Sequence, residues 1–526
     1  MAYGVWRILL CIPFATILAL PTYVLRLEVF DIRTNVLDIL LLVSVIAMSV
    51  SVFASGAKQS RNPDGSRRRR PLTGLLLATT SWFILLLLIG VLTSALADST
   101  LSFRELGMLK SYFILPIAFA FLFAITHTDF RKQFLALKCF AASALLAAAI
   151  SWGFAAFAEG ITFDGRLRGF WESPNQLAMY IAPALLLFWI SARNHQYAFS
   201  RNLDILSLSL LGITLLFTQS IGGIITTLLS IMTIEMPCRK PPPPLPHLFP
   251  RKRCGIGTSP EGGGGSETLP FSTLFPLWGK HPPRRGPLGR GQKGDWGGGF
   301  LQGIIEIIIL RRILSSSSLR AILRAKPWSH VCSRRIRMFL QTFAVLLIAS
   351  FAIAMLSHEK LASWASLDER SSIASRMMIW QAAWDIGKDH PLLGIGPGNF
   401  QAYYLDYQQY YPPYLEWAVP HPHNIFLAFW LSSGLLGLLG FLGITGWTLW
   451  RIVKKINHTM VWSKVWSKHK SKQDILLLFT LHYVLFSVLL WGLIDTPYWR
   501  NDLAVVFWLF VAIAITNADR TCNRIR

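Results

Sequence analysis

Runs of mostly apolar residues, near the length of about 20 that a helix needs to cross a bilayer, recur along almost the whole chain. They cover 8 to 25, 36 to 55, 72 to 96, 108 to 126, 135 to 157, 176 to 192, 205 to 219, 221 to 235, 338 to 356, 424 to 450, 474 to 494 and 503 to 517. The seventh and eighth are short and meet at a tight turn, Gln219 to Gly223. Polar breaks between runs are brief except at 236 to 337 and at 357 to 423. The pattern predicts an all-α, polytopic membrane protein with about twelve transmembrane helices. Helices 1 to 8 lie in residues 1–235, helix 9 in 338–356, and helices 10 to 12 with a tail in 424–526. The first run resembles a secretion signal. It carries no small-residue cleavage site and the second run follows closely, so it reads as a span.

Composition supports that class. Of 526 residues, 53% are hydrophobic and 15% charged, with a mean hydropathy of +0.44, outside the soluble norm. The net charge of +24 would suit nucleic acid in a soluble protein. In a membrane protein, Lys and Arg gather in cytoplasmic loops for topological reasons, so no nucleic-acid partner is implied. The loop GAKQSRNPDGSRRRR, with Arg61 and Arg67 to Arg70, sets the orientation. Both termini are then cytoplasmic, and the basic loops HTDFRKQF, RNHQYAFSRNLD and RIVKKINHTMVWSKVWSKHKSK also fall inside. The loop EGITFDGRLRGFWESPN and the long segment 357–423 face the periplasm or cell exterior.

Residues 236–337 break the pattern. They hold more than half of the net charge, with low-complexity stretches such as PPPPLPHLFPRKR and EGGGGSE. That composition predicts a disordered cytoplasmic insert, within which GIIEIIILRRIL is apolar enough to lie on a membrane surface. The six cysteines form no CxxC pair, so neither a disulfide framework nor a zinc site follows from them.

Candidate chemistry collects on the outward side. Arg166 and Arg168 sit two residues apart, ahead of Asn175 and the next span. Positive charge is normally avoided on that face, so this pair is placed to hold an anion. In the long loop, Arg370 and Arg376 stand six residues apart in LDERSSIASRMMIW, and the helical spacing of SSIASRMMIWQAAWDIGK would put Met377, Trp380, Ala383, Trp384 and Gly387 on one face. The guanidinium fork of Arg376 suits a phosphate. HPLLGIGPGNF lacks the GK[ST] ending and GxGxxG spacing of nucleotide loops, and reads as a turn. PHPHNIF places His421, His423 and Asn424 at the head of a span, where a neutral imidazole can take a proton from a hydroxyl. A zinc site from His421, His423, His390 and a carboxylate is weaker, for want of a firm third ligand.

The order RLRGFWESPN, SRMMIWQAAWDIGKDHPLLGIGPGNF, HPHNIFLAFWLSSGLLGLLGFL resembles the O-antigen ligase and O-antigen polymerase superfamily of bacterial inner-membrane glycan transferases. The motifs cover roughly 160 to 225 and 360 to 445. The resemblance implies a metal-independent, inverting glycosyltransferase without cofactor, acting on a polyprenyl-diphosphate-linked glycan at the periplasmic face. The acceptor would be a hydroxyl of a lipid A core or of a growing polysaccharide. It implies Arg166, Arg168 and Arg376 as diphosphate ligands, with the spacing to Gly169 favouring Arg166 over Arg168, His423 as the base with His421 supporting it, and Asn424, Asn175 and Arg370 as supporting residues. Many members carry an Arg at the turn after the seventh span, where this chain has Ser220-Ile221-Gly222-Gly223. The reading from another class is a secondary transporter, which twelve spans with both ends inside would also suit. Transporters usually show two repeated halves with broken helices, and no internal repeat is visible.

Overall fold

A computed structural model describes residues 2–29, 32–60, 71–97, 102–157, 159–163, 165–193, 201–235, 372–411, 419–463 and 469–519. The insert 236–337, the ninth apolar run and Arg370 lie outside them. The described elements are α1 (Ala2–Leu18), β1 (Arg26–Val29), β2 (Ile32–Asn35), α2 (Val36–Ser60), α3 (Pro71–Leu96), α4 (Phe103–Thr126), α5 (Phe130–Ala156), α6 (Pro174–Arg193), α7 (Arg201–Phe217) and α8 (Ile221–Glu235). After the insert come α9 (Ser372–Asp389), α10 (Phe400–Tyr407), α11 (Ile425–Ser463), α12 (His469–Trp491) and α13 (Asn501–Asp519).

Eleven of these helices coincide with eleven of the twelve apolar runs. Four are long and apolar enough to cross a membrane, at Phe103–Thr126, Arg131–Ala156, Pro174–Ala192 and Ile425–Ile456, and seven have shorter apolar segments. Their inward faces form one buried cluster dominated by Leu, Ile, Ala and Phe, with α13 buried along most of its length.

The first run departs from expectation. Its helix ends at Leu18, and a 3-10 turn at Leu20–Val24 leads into an antiparallel hairpin with Leu27 opposite Thr34. The all-α reading thus misses a small sheet. The change follows from Pro21 and from the alternating, β-branched residues after it, which favour extended backbone.

α11 packs along α3 through glycines: a methyl group on Gly90 would strike the Gly437 backbone, and one on Gly440 the Leu87 backbone. Small residues permit such close approach where lipid supplies no hydrophobic drive between helices. α11 also breaks at Gly434, whose φ of 64° is open to glycine and strained for other residues. The backbone groups freed there are re-satisfied by the HPLLGIGPGNF segment. The Ile395 amide donates to the Leu431 carbonyl (2.7 Å) and the Leu435 amide to the Leu392 carbonyl (3.0 Å). Beyond it, Gly396 N–H donates to Ser94 Oγ (3.0 Å) and Asn399 Nδ2 to buried Glu105 (2.6 Å). The segment is a docking turn with Gly394, Gly396 and Gly398 all at positive φ, and it ties α9 to α3, α4 and α11.

α9 lies against this assembly by a different face from the one its aromatic residues suggest. Met378, Ile379, Ala382, Ala383 and Ile386 are buried, while Met377 and Trp384 are half exposed. Helical spacing alone gives weight to bulky side chains. The buried face shares Ala383 and Gly387 with the predicted stripe, Gly387 being set against the Trp430 ring, and turns toward Met378, Ile379, Ala382 and Ile386.

Candidate functional site

The site is built where five segments meet: the loop after α5, the N-terminus of α6, the start of α9, the loop before α11 and the loop before α13. At their centre is a residue that the sequence reading did not single out, Asp495. It lies in the short polar break between the last two apolar runs and is 4% exposed.

His423 Nδ1 is 3.1 Å from Asp495 Oδ1. Arg376 Nη2 is 4.0 Å from Asp495 Oδ2, and Asn175 Nδ2 donates to the same oxygen at 3.5 Å. Asn175 in turn accepts from Arg166 Nη2 at 3.1 Å. One buried carboxylate therefore joins Arg376 and His423 directly and Arg166 through an amide. Burial alone pushes the Asp495 carboxyl up. The His423 hydrogen bond, the charges of His423 and Arg376 and the Thr496 amide outweigh it, so the net direction is down. An ionised carboxylate only accepts, so Nδ1 of His423 carries the hydrogen. Nε2 of neutral His423 is then the ring nitrogen with a lone pair.

Each side chain is held from its own element. Arg166 Nε donates to the Thr218 carbonyl at the end of α7 (3.0 Å), and the Leu167 amide donates to the Phe217 carbonyl (2.8 Å). Arg376 Nε donates to the Ile494 carbonyl (3.0 Å), fixing the first turn of α9 beside Asp495. Trp380 Nε1, one turn further along α9, donates to the His423 carbonyl (3.2 Å). Among the described residues, two non-glycine residues have positive φ: His423 (47°) and Gln219 (49°), next to Thr218. Such backbone costs roughly 1–3 kcal/mol and gathers at functional sites. Here one outlier carries the histidine and the other adjoins the carbonyl that holds Arg166.

The remaining sequence candidates separate. Asn424 caps α11: its Oδ1 accepts the Phe426 and Leu427 amides, and its Nδ2 donates to the Leu493 carbonyl (3.1 Å). Its part is to aim His423. Arg168 donates to the Glu159 carbonyl (3.3 Å), and its buried Nε has no hydrogen-bond partner, so only Arg166 of the pair reaches the carboxylate group. The His421 ring lies 6.0 Å from that of His423, and burial pushes its pKa down to about 4, which keeps it neutral near pH 7. The His390 ring meets Tyr403 edge-on, and among the described residues no three metal-ligating side chains gather. At the glycine turn, Gly222 and Gly223 make room for the Trp491 indole.

A second polar layer braces these loops. Buried Arg500 grips Asp502 through two bonds (2.6 and 2.7 Å), donates to the Gln176 carbonyl beside Asn175 (2.9 Å), and faces the Tyr23 and Trp171 rings. Asp38 accepts from Lys110, Ser111 and Asn501. Lys110 and Ser111 lie on a π-helical segment of α4, Leu109–Ile114, whose Tyr112 carbonyl takes the Tyr498 hydroxyl (2.6 Å). Widened turns of this kind are frequent at functional sites.

Comparison with known families identifies residues 314–442 as matching the family model for O-antigen ligase. The match takes in Arg376, His421, His423 and Asn424. Arg166 and Asn175 lie before it and Asp495 after it, so the geometry joins residues from outside the matched region to those within. A comparison with curated proteins finds no match.

Proposed function

We propose that this multi-pass membrane protein, whose residues 314–442 match O-antigen ligase, transfers a glycan from a polyprenyl diphosphate to a hydroxyl acceptor. The acceptor is a lipid A core or a growing polysaccharide. The observation that carries this reading is the convergence of Arg376 and His423 on Asp495, with Arg166 joined to it through Asn175, from distant parts of the chain. A base and two cations gathered at the end of a helical bundle suit the activation of a hydroxyl while an anionic group departs.

In this mechanism Asp495 holds His423 with Nδ1–H toward it, and Nε2 takes the proton of the acceptor hydroxyl. The hydroxyl oxygen forms its bond to the anomeric carbon as the carbon–oxygen bond to the diphosphate breaks. The leaving diphosphate keeps the electron pair. Arg376 and Arg166 stabilise its charge, the role a divalent cation fills in other transferases. Attack from the face opposite the leaving group inverts the anomeric centre. His421, neutral and close by, shields His423 and lines the acceptor side. The positive-inside charge pattern supports placing this end of the bundle outward. Use of a second lipid-linked repeat as acceptor, which is polymerisation, needs the same groups.

The test is complementation. In cells lacking their own transferase, the parent chain restores surface polysaccharide on a gel, and His423→Ala and Arg376→Ala do not. Restoration by both variants at parental levels would sink the proposal.

A further inference from the structure

The loop after α5 arranges its side chains the reverse way from a loop built for water. Its turn is tight: the Thr162 amide donates to the Arg166 carbonyl (2.9 Å), the Gly165 amide to the Thr162 carbonyl (2.9 Å), and Ile161 pairs with Leu167 in an antiparallel bridge. The two arginines turn inward, Arg166 to the Thr218 carbonyl and Arg168 to the Glu159 carbonyl. The apolar residues turn out. Phe163, at the tip, is fully exposed, Phe157 is 82% exposed and Ile161 44%. Turn tips favour Gly, Asn, Asp and Ser. A phenylalanine held there, with no cover from its own chain, calls for an apolar partner outside it.

The helix that leads into the loop shows what that partner is. Leu146, Ile150, Phe154 and Phe157 recur at three- and four-residue spacing and are all exposed. α5 contains one of the four segments long and apolar enough to cross a membrane, so this line is its lipid face. The loop is pressed onto the end of that line: the Glu159 and Gly160 amides both donate to the Phe154 carbonyl (3.2 Å), and a methyl group on Gly160 would meet Phe154 Cβ at 2.9 Å. A second apolar tip stands at the same end of the bundle. Leu92 and Leu96 on α3 and Phe103 at the start of α4 are exposed, beside Ser94 and Glu105, which hold the turn that follows α9.

We propose that the loop after α5 is an interfacial anchor, with Phe157, Ile161 and Phe163 seated in a phospholipid leaflet at the boundary between headgroups and acyl chains, a depth of about 5–10 Å. The loop's two acids, Glu159 and Asp164, keep the seat shallow. Arg166 follows Phe163 by three residues, a span of at most about 11 Å, so the anchor holds it at the level of the headgroup phosphates. In the transfer reading proposed above, Arg166 then meets a diphosphate whose polyprenyl chain stays in its leaflet. The anchor itself does not depend on that reading.

Photocrosslinking of the full chain, reconstituted in vesicles of phosphatidylglycerol and phosphatidylethanolamine, tests this. A benzophenone amino acid replaces Phe163, a fully exposed position that folding does not use. In separate chains it replaces Phe157, Leu146 on the lipid face of α5, or Glu172, whose pair with Arg26 is exposed on both sides and marks the water side. After illumination, intact-mass spectrometry should find phospholipid bound covalently at Phe163 and Phe157, as at Leu146, and none at Glu172. Absence of a phospholipid adduct at Phe163 would overturn the proposal. A crosslink from Phe163 to a second copy of the chain in place of lipid, or an equal phospholipid yield at Glu172, would do the same. If the Phe157 chain does not fold, Phe163 decides alone. Glycan transfer plays no part in the readout.

Discussion

Replacing Asp495 by Asn keeps the shape of the side chain and removes the charge on which the site converges. At an effective dielectric of about 20, unit charges 4.0 Å apart, the Arg376–Asp495 separation, attract by roughly 4 kcal/mol before desolvation is subtracted. The larger consequence is for the histidine. The carboxylate can only accept from Nδ1, whereas an amide can turn its N–H toward the ring and favour the tautomer with hydrogen on Nε2, which cannot act as base. The amide also has one accepting oxygen where the carboxylate has two, which weakens the link to Asn175 and Arg376. A misdirected general base costs about 10²- to 10⁴-fold in rate, on the order of 3–5 kcal/mol in the barrier. The assay is the initial rate of polyprenyl diphosphate release in membranes holding equal amounts of folded protein. A rate for Asp495→Asn within about threefold of the parent, where a base effect requires at least 10², with His423→Ala inactive, refutes the role given to Asp495.

Other outcomes follow from particular contacts. Arg166→Ala should lower the rate about 10²-fold, the scale of one lost transition-state donor, while Arg168→Ala, whose side chain holds Glu159, should cost less than about tenfold in the same assay. His421 has its pKa lowered by burial to about 4, against roughly 6.5 unfolded. Between those values the unfolded chain binds a proton that the folded chain does not, so stability falls as pH drops through that window. Thermal melting of His421→Asn in detergent should show a flatter dependence between pH 4 and 6.5. Gly434→Ala should destabilise by roughly 1–3 kcal/mol, because its methyl group meets the Leu392 carbonyl at a positive φ. Gly446→Ala, in the same helix with open space around it, should be neutral or stabilise by up to about 1 kcal/mol; melting temperatures of both check the contrast.

Hydropathy made the helices legible, because a span needs sustained apolar length and the chain offers it in discrete runs. It also marked where polar groups interrupt that length, which brought out Arg166, Arg376 and His423. Asp495 escaped because the break LIDTPYWRND is short and its acid is flanked by apolar and aromatic residues, so it reads as an ordinary connection. The signal available was an Asp, an Arg and a second Asp within eight residues between two spans, an expensive arrangement there unless paired. Spacing to Gly169 already favoured Arg166 over Arg168; how Arg166 is held needed the Phe217 and Thr218 carbonyls against which the loop folds. On α9 the spacing marked Ala383 and Gly387 but passed over Met378, Ile379, Ala382 and Ile386, which are buried. The hairpin after α1 was hidden by treating residues 8 to 25 as a single apolar run, although Pro21 marked its limit.

The most direct measurement supplies membranes bearing the chain with a polyprenyl-diphosphate-linked glycan and a hydroxyl acceptor, and follows both products by mass spectrometry. Glycosylated acceptor and free polyprenyl diphosphate should form in equal amounts, with neither produced by His423→Ala. Equal product formation by His423→Ala, or release of polyprenyl diphosphate without glycosylated acceptor, would contradict the transfer mechanism.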